Sequence, residues 1–316
     1  MAPLQDEFDG SSSSFKRVCV MDAAGSFGSA LVHRLLQRGY FVHAAINHQV
    51  EMQSMGGKSD NLRVFHTDPL DYHSIVEALD GCYGLFYSFQ PPSDQSSYDE
   101  SMAEMEIRAA HNVLEACAQT NTIDKVVFTS SATAVIWQDP SDSTPSSSDV
   151  DERNWSNVTF CKKFKLWHGL SKTLAEKTAW ALAMDRGVSM VSINAGLLLS
   201  PDLTVTHPYL KGAAEMYEDG VFVTVDLKFL VDSHICVFED VSAYGRYLCF
   251  NHVVNCNEDA VKLAKILLPP DVSSLPPRLV QSCNYWESRM VPQRISNKKL
   301  NKLMVDFDLE VPILSP

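Results

Sequence analysis

Between Arg17 and about Asn194 the chain alternates short apolar runs with segments whose apolar positions recur every three to four residues. "RVCVM", "FVHAAI", "NLRVFH", "GLFYS", "KVVFTSS" and "VSMVSIN" have the length and β-branched content of buried strands. Between them, Phe27, Leu31 and Leu35 fall at i, i+4 spacing, and helical patterns run through "YHSIVEALD", Ser101–Ala118 and "SKTLAEKTAWALAMD". Strands alternating with helices predict βαβ units, right-handed crossovers and a doubly wound α/β fold on a parallel sheet.

The alternation has two interruptions. A loop rich in Ser, Asp and Pro, "DPSDSTPSSSDVDERNWSN", follows "KVVFTSS", and beyond Pro201 the regular pattern fades. The tail holds a helix candidate at Asp259–Leu267, the proline-rich "LPPDVSSLPP" and the closing "ISNKKLNKLMVDFDLEVP". This predicts residues 201–316 as mainly a smaller substrate-binding lobe over the sheet's carboxyl edge.

Composition narrows the function. The 316 residues are 45% hydrophobic and 21% charged, ordinary for a soluble domain with a real core. A formal charge of -13 and a pI near 5.1 argue against nucleic acid or an anionic membrane as partner, since both select basic surfaces. The first fifteen residues, "MAPLQDEFDGSSSSF", lack a basic and an apolar region and carry acidic residues, so they read as a disordered leader and the cytoplasm as the compartment. Eight scattered cysteines without a CxxC pair suggest neither a metal site nor a disulfide framework. The sequons at Asn154 and Asn157 then read as chance matches.

The first strand runs into "MDAAGSFG" and then an amphipathic helix, which is how a dinucleotide-binding unit begins. Gly25 would let the backbone approach phosphates, Gly28 would let the helix pack on the sheet, and the helix N-terminus offers free N–H groups. Residues 16–200 are therefore expected to form a dinucleotide-binding domain. Asp22 stands where a glycine is expected. Its carboxylate either competes with phosphate for those N–H donors or caps the helix. After the second strand, Asn47 and His48 take the place where an acidic residue would favour NAD and an arginine NADP; Lys58 is the nearest cation downstream. These residues alone leave the cofactor choice open.

Two later stretches carry candidate chemistry. "VVFTSSATAV" ends a strand on Ser130 and Ser131, and "KLWHGLSKTLAEKTAW" puts His168 and Lys172 on one helix face at i, i+4. These stretches, together with "LLQRGYFVHAA", "DPLDYHSIVEALDGCYGLFYS", "NWSNVTFCKK", "VDLKFLVDSHICVFED", "GRYLC" and "ISNKKL", make the chain similar to the plant extended short-chain dehydrogenases of the cinnamoyl-CoA reductase and dihydroflavonol 4-reductase group. Within that group it resembles most the divergent cinnamoyl-CoA reductase-like branch linked to plant defence.

The resemblance implies a Rossmann fold, NADP (NADPH) as cofactor and a small phenylpropanoid-type carbonyl as substrate. It implies that Asp22, Ala23, Ala24, Gly25, Ser26, Phe27 and Gly28 meet the pyrophosphate. It further implies Asn47 near the 2′-phosphate, Asp68 and Pro69 beside the adenine, and Ser88, Phe89 and Gln90 beside the ribose. Ala195, Gly196, Leu197 and Leu198 would border the nicotinamide. Ser131, the residue at 168 and Lys172 would form the catalytic set, with Lys172 also on the ribose. The group's first glycine is Asp22 here, its arginine Asn47, its catalytic tyrosine His168, and a proline by the nicotinamide Ala195. The signature of true cinnamoyl-CoA reductases, "NWYCYGK", reads "LWHGLSK".

Two functions follow. One is an NADP-dependent reductase using Ser131, His168 and Lys172, in which a neutral histidine serves as a weak acid. The other is a non-catalytic protein of the same fold that binds a dinucleotide or a protein partner and regulates. Lys162, Lys163 and Lys165 read as a solvated face, and Trp167 and Trp180 as core.

Overall fold

In the computed structural model, which describes residues 16–47, 60–91, 98–139, 149–267, 290–305 and 307, the apolar run that opens the alternation becomes the central strand β1 (Arg17–Met21), buried from Val18 onward. It leads to α1 (Ser26–Gln37), β2 (Phe41–Ile46), β3 (Leu62–His66), α2 (Tyr72–Leu79) and β4 (Gly84–Tyr87). Then come α3 (Glu100–Gln119), β5 (Lys125–Ser131), α4 (Val158–Lys163), α5 (Trp167–Arg186) and β6 (Met190–Ala195). The remainder forms β7 (Leu197–Leu199), α6 (Ala213–Glu218), β8 (Val223–Asp226), α7 (Leu227–Glu239), β9 (Gly245–Cys249), β10 (His252–Val253), α8 (Asn257–Leu267) and α9 (Lys298–Met304). The expected leader, His48, Lys58 and "LPPDVSSLPP" lie outside the described residues.

Seven strands pair in parallel in the order β3-β2-β1-β4-β5-β6-β9. The order reverses between β1 and β4, so a cleft opens above their carboxyl ends. Helices cover both faces, which is why the inner strands read as continuous apolar runs. On one face α1, α7 and α9 bury Leu31, Leu35, Leu230, Ile235 and Leu300. On the other, α2, α3 and α5 bury Ile75, Leu79, Val113, Ala175 and Ala179. β3 is the edge and stays half exposed.

After residue 200 the chain leaves the sheet and then returns to it. α7 returns to pack beside α1, and β9 extends the sheet in parallel register with β6, Ile193 opposite Tyr247. The division expected at residue 200 is therefore crossed twice, because α7 completes the helical layer and β9 pairs in parallel with β6. What lies outside the sheet is a smaller unit, the three-stranded β10-β8-β7, around a core of Trp137, Leu166, Tyr209, Phe222 and Leu263. Local polar chemistry sets the helix starts: Asp71, Asp99 and Asp226 each accept amide hydrogens at the first turns of α2, α3 and α7. Both sequon asparagines accept backbone amide hydrogens locally, one at a helix start and one in a turn. Asn157 caps α4 through Phe160 N at 2.9 Å, and Asn154 accepts from Asp151 N at 3.0 Å.

One buried carboxylate ties the layers together. Glu176 of α5, fully buried, accepts from Ser130 Oγ at 2.8 Å, Ser192 Oγ at 2.6 Å, Asn194 Nδ2 at 2.7 Å and Arg246 Nε at 2.8 Å. Arg246 of β9 stacks on Trp155, 3.6 Å from the ring centre, and donates to the carbonyls of Glu152 and Asn154. Removing one partner of such a pair strands a charge, whereas removing both need not. Arg246→Met is expected to cost about 3–5 kcal/mol in urea unfolding, and Glu176→Leu with Arg246→Met distinctly less than the sum of the two single changes.

Candidate active site

The turn after β1 is built as the dinucleotide reading requires, with one exception. Gly28 is forced: a Cβ there would come within 2.0 Å of the Asp22 carbonyl oxygen, so only glycine lets α1 pack against the turn. Gly25, which lines the cleft, precedes α1, whose first turn has no side-chain cap and so leaves its first N–H groups without a side-chain acceptor. Asp22 has φ 63°, a left-handed conformation that favours glycine and that aspartate tolerates. Its carboxylate does not cap α1. It accepts from Ser88 Oγ at 3.4 Å and points toward Gln90. Burial pushes its carboxyl up to about 7, against the opposing pull of the Ser88 and Gln90 hydrogen bonds and of Lys172.

Asp22, Ala24, Gly25, Asn47, Asp68, Pro69, Ser88, Phe89 and Gln90 line one cavity of about 260 Å³ at the switch point. Ala23 and Phe27 turn their side chains into the core, Phe27 against the His234 ring at 4.6 Å, and Ser26 opens α1. Ala195, Gly196, Leu197 and Leu198 lie at the end of β6 and in β7, outside this cavity; the Ala195 carbonyl accepts from Ser131 Oγ at 3.5 Å.

The catalytic candidates come together on β5, the short 3₁₀ turn Ala132–Ala134 and α5. Thr133 joins Ser131 to His168: its Oγ1 donates to Ser131 Oγ at 3.0 Å and lies 2.9 Å from His168 Nδ1. His168 is buried, and burial, Lys172 and His207 together hold its pKa well below the ordinary histidine value. Lys172 does not contact His168. Its Nζ pairs at 2.7 Å with Glu106 of α3, a carboxylate 2% exposed that also accepts from Tyr98 Oη at 2.6 Å and from Ser171. Lys172 sits near Phe89 on the first cavity's wall, its Nζ 6.0 Å from the ring centre.

A second cavity of about 280 Å³ opens beyond His168, bounded by Tyr98, Trp167, His168, Thr206, His207 and Lys211. Trp167 thus lines a cavity instead of belonging wholly to the core, because it starts α5 where the helix leaves the packed layer. Trp180 packs against the α3–α5 core as expected. Lys162, Lys163 and Lys165 are exposed. Sequence reasoning missed Thr133, Glu106, Tyr98 and His207. Glu106 alone left a signal, as a carboxylate in line with Met102, Ala109 and Val113 on the buried stripe of α3.

Comparison with known proteins places this geometry. Residues 18–227 match the NAD dependent epimerase/dehydratase family. Over 303 residues the chain is 34% identical to cinnamoyl-CoA reductase 1 of Petunia hybrida, covering 92% of this chain and 87% of that protein. In fold it is similar to vestitone reductase from alfalfa (Medicago sativa), with a TM-score of 0.68, 23% identity and 94% of each chain covered. It is also similar to yeast methylglyoxal/isovaleraldehyde reductase solved with NADPH, with a TM-score of 0.66, 16% identity and 91% and 92% of the two chains covered. No helix among the described residues is long and apolar enough to cross a membrane. The chain belongs to the NAD dependent epimerase/dehydratase family and is related within it to the cinnamoyl-CoA reductases.

Proposed function

We propose that the protein is a cytoplasmic NADPH-dependent reductase of a phenylpropanoid-type carbonyl compound, working with the altered set Ser131, His168 and Lys172. The observation that carries this reading is that Lys172 lies close enough to act electrostatically both on Asp22, in the wall of one cavity, and on His168 and His207, in the wall of the other. Toward one side lies the glycine-bearing turn, toward the other the Ser131–Thr133–His168 chain.

The residues present suit a dinucleotide. The uncapped start of α1 and Gly25 offer N–H groups to a pyrophosphate, and Asp68 and Pro69 flank the far end of the cavity. Asn47, exposed on the same wall, presents no negative charge to a 2′-phosphate, which supports NADP over NAD. When bound, the reduced nicotinamide supplies hydride. The chain's own part is polarisation and protonation. Ser131 Oγ accepts from Thr133 N at 3.2 Å and from Thr133 Oγ1, so its own hydrogen is left for a carbonyl in preference to the distant Ala195 oxygen. His168 is the group nearest in role to a proton donor, and keeping it neutral makes it a poor one; a mispaired acid costs about 10²–10⁴ in rate.

A second reading, binding without turnover, is favoured by one feature: Glu106 holds the lysine that would otherwise be free to grip a ribose. Activity decides between the two.

Three outcomes are expected. Calorimetric titration should show NADPH binding more tightly than NADH; equal affinity would remove the cofactor assignment. Asp22→Gly should tighten NADPH, and the gain should grow with pH. An aspartate raised to about 7 is mostly neutral below that pH and anionic above it, so wild-type affinity relative to Asp22→Gly should fall by up to about tenfold per pH unit above 7. His168→Tyr should raise reduction of hydroxycinnamoyl thioesters, aldehydes or dihydroflavonols by about 10² or more, while His168→Ala abolishes native activity and leaves NADPH binding intact. If native protein and His168→Ala both turn over well, His168 is not the acid; if the tyrosine variant stays inactive while folded, the binding reading prevails.

A further inference from the structure

The second cavity differs from the first in its charge. No aspartate or glutamate is among its lining residues, although the chain carries a formal charge of -13. It gathers donors instead. His207 starts a 3₁₀ turn, Pro208–Leu210, by accepting the Tyr209 N–H on Nδ1 at 3.3 Å. A backbone N–H only donates, so that nitrogen carries no hydrogen, and a neutral His207 ring holds its hydrogen on Nε2. Four residues on, the exposed Lys211 borders the same cavity, and its ammonium forms no ion pair with a carboxylate among the described residues. In this it differs from Lys172, whose charge Glu106 answers.

The field in the cavity has the same sign. Burial first, and then Lys172, hold both His168 and His207 below the ordinary histidine value, with Asp202 pulling His207 the other way. Glu106 is engaged by Lys172, Tyr98 and Ser171. A positive field of this kind favours an anion over a neutral group of the same shape. The remaining walls are aromatic: Trp167, and Tyr98 with its ring centre 5.5 Å from that of His168. The imidazole centres of His168 and His207 stand 6.3 Å apart, comparable with the span of a para-substituted benzene ring.

We propose that the second cavity is a carboxylate-binding substrate site, in which His207 Nε2–H and the Lys211 ammonium hold the anionic group of an aromatic carbonyl compound. This rests on reading the cavity as the substrate side of a reductase, and it names the substrate class within that reading: phenylpropanoid-type carbonyl compounds that also carry a carboxylate. Ser131 and His168 keep their roles at the carbonyl, at the other end of the ligand. Tyr98 and Trp167 supply ring faces for its aromatic part. A carboxylate accepts from both the imidazole N–H and the ammonium, and charge-assisted bonds of this kind are about twice as strong as neutral ones. An ester of the same acid keeps the shape and loses the charge, so His207 and Lys211 determine specificity and not the chemical step.

Calorimetric titration of the full chain at pH 7.5 with 4-formylbenzoate and with methyl 4-formylbenzoate isolates the charge. The acid should bind about tenfold more tightly, the value of one charge-assisted hydrogen bond. Lys211→Met should weaken the acid about three- to fivefold and leave the ester unchanged; Lys211→Arg should keep the preference, and added salt should reduce it. In ¹H–¹⁵N spectra of histidine-labelled protein, with His207 assigned by its loss in His207→Gln, the acid should shift the His207 Nε2–H signal and the ester should not. His207→Leu should weaken the acid about tenfold; should that variant lose the Pro208–Leu210 turn, the exposed Lys211 series still decides. Equal affinity for acid and ester, an unmoved His207 signal, or Lys211→Met weakening both ligands alike overturns the proposal. So does inorganic phosphate that displaces the acid at equal concentration, which would make this a general anion site. If NADPH fails to bind while the acid is preferred, the reductase reading falls and the carboxylate site stands. If NADPH binds and both aldehydes are reduced with equal KM, the reductase reading stands and the carboxylate site falls.

Discussion

The Glu176 carboxylate is the constraint on which the rest of the site depends. It sits two turns after His168 and one after Lys172 on α5, and its four partners come from β5, β6 and β9. Anchoring it therefore fixes the height and rotation of α5 against the ends of three strands. Ser130, one of those partners, adjoins Ser131, and Asn194, another, also donates to the Ser131 carbonyl at 3.3 Å. The distance from Ser131 through Thr133 to His168 is thus set by a buried charge that takes no part in the chemistry. Such a charge is tolerated because each oxygen is met by donors, including a guanidinium held flat against Trp155.

Three interior carboxylates show how differently the same group behaves according to its partners. Glu176 has Arg246 and serves structure. Glu106 has Lys172 and determines where that lysine's ammonium stands, away from His168. Asp22 is bonded to no cation, only to a hydroxyl and an amide with Lys172 acting from a distance, and burial raises its carboxyl to about 7. The first two are locked by geometry. The third is adjustable, and it lies where an anionic ligand would approach the start of α1, so its proton is the one most easily exchanged for a phosphate's charge.

Most of the sheet could be read from the chain because parallel strands covered on both faces need unbroken apolar runs, and "RVCVM", "FVHAAI" and "KVVFTSS" are such runs. The turn's glycines were legible because backbone contact leaves no room for a Cβ, as Gly28 shows. Less visible was the return of α7 and β9 to the sheet. "GRYLC" is short, and its pairing with β6 is a contact between distant parts of the chain that no local pattern encodes. Likewise Ser131, His168 and Lys172 were legible by spacing on their own elements. Their connections were not: Thr133 sits in a 3₁₀ turn without periodicity, and Glu106 meets Lys172 only when α3 and α5 pack through small residues such as Ala109 and Ala175.

That difference matters for how the departures from the reductase pattern are understood. Taken one at a time, Asp22 and His168 look like losses. In the folded chain they sit among residues that accommodate them. Asp22 adopts the left-handed backbone a glycine would have taken and finds Ser88 for its carboxylate. His168 finds Thr133 and a cavity where Tyr98 supplies a phenol from another element, its hydroxyl turned to Glu106 and not to the histidine. A buried polar group without a partner costs about 1–3 kcal/mol, so a stable fold has to supply partners of this kind wherever such residues are buried. The polar groups at the place of the expected tyrosine–lysine pair are thus connected differently: a serine–threonine–histidine chain on one side, and on the other a lysine whose charge is answered by a carboxylate from the neighbouring helix.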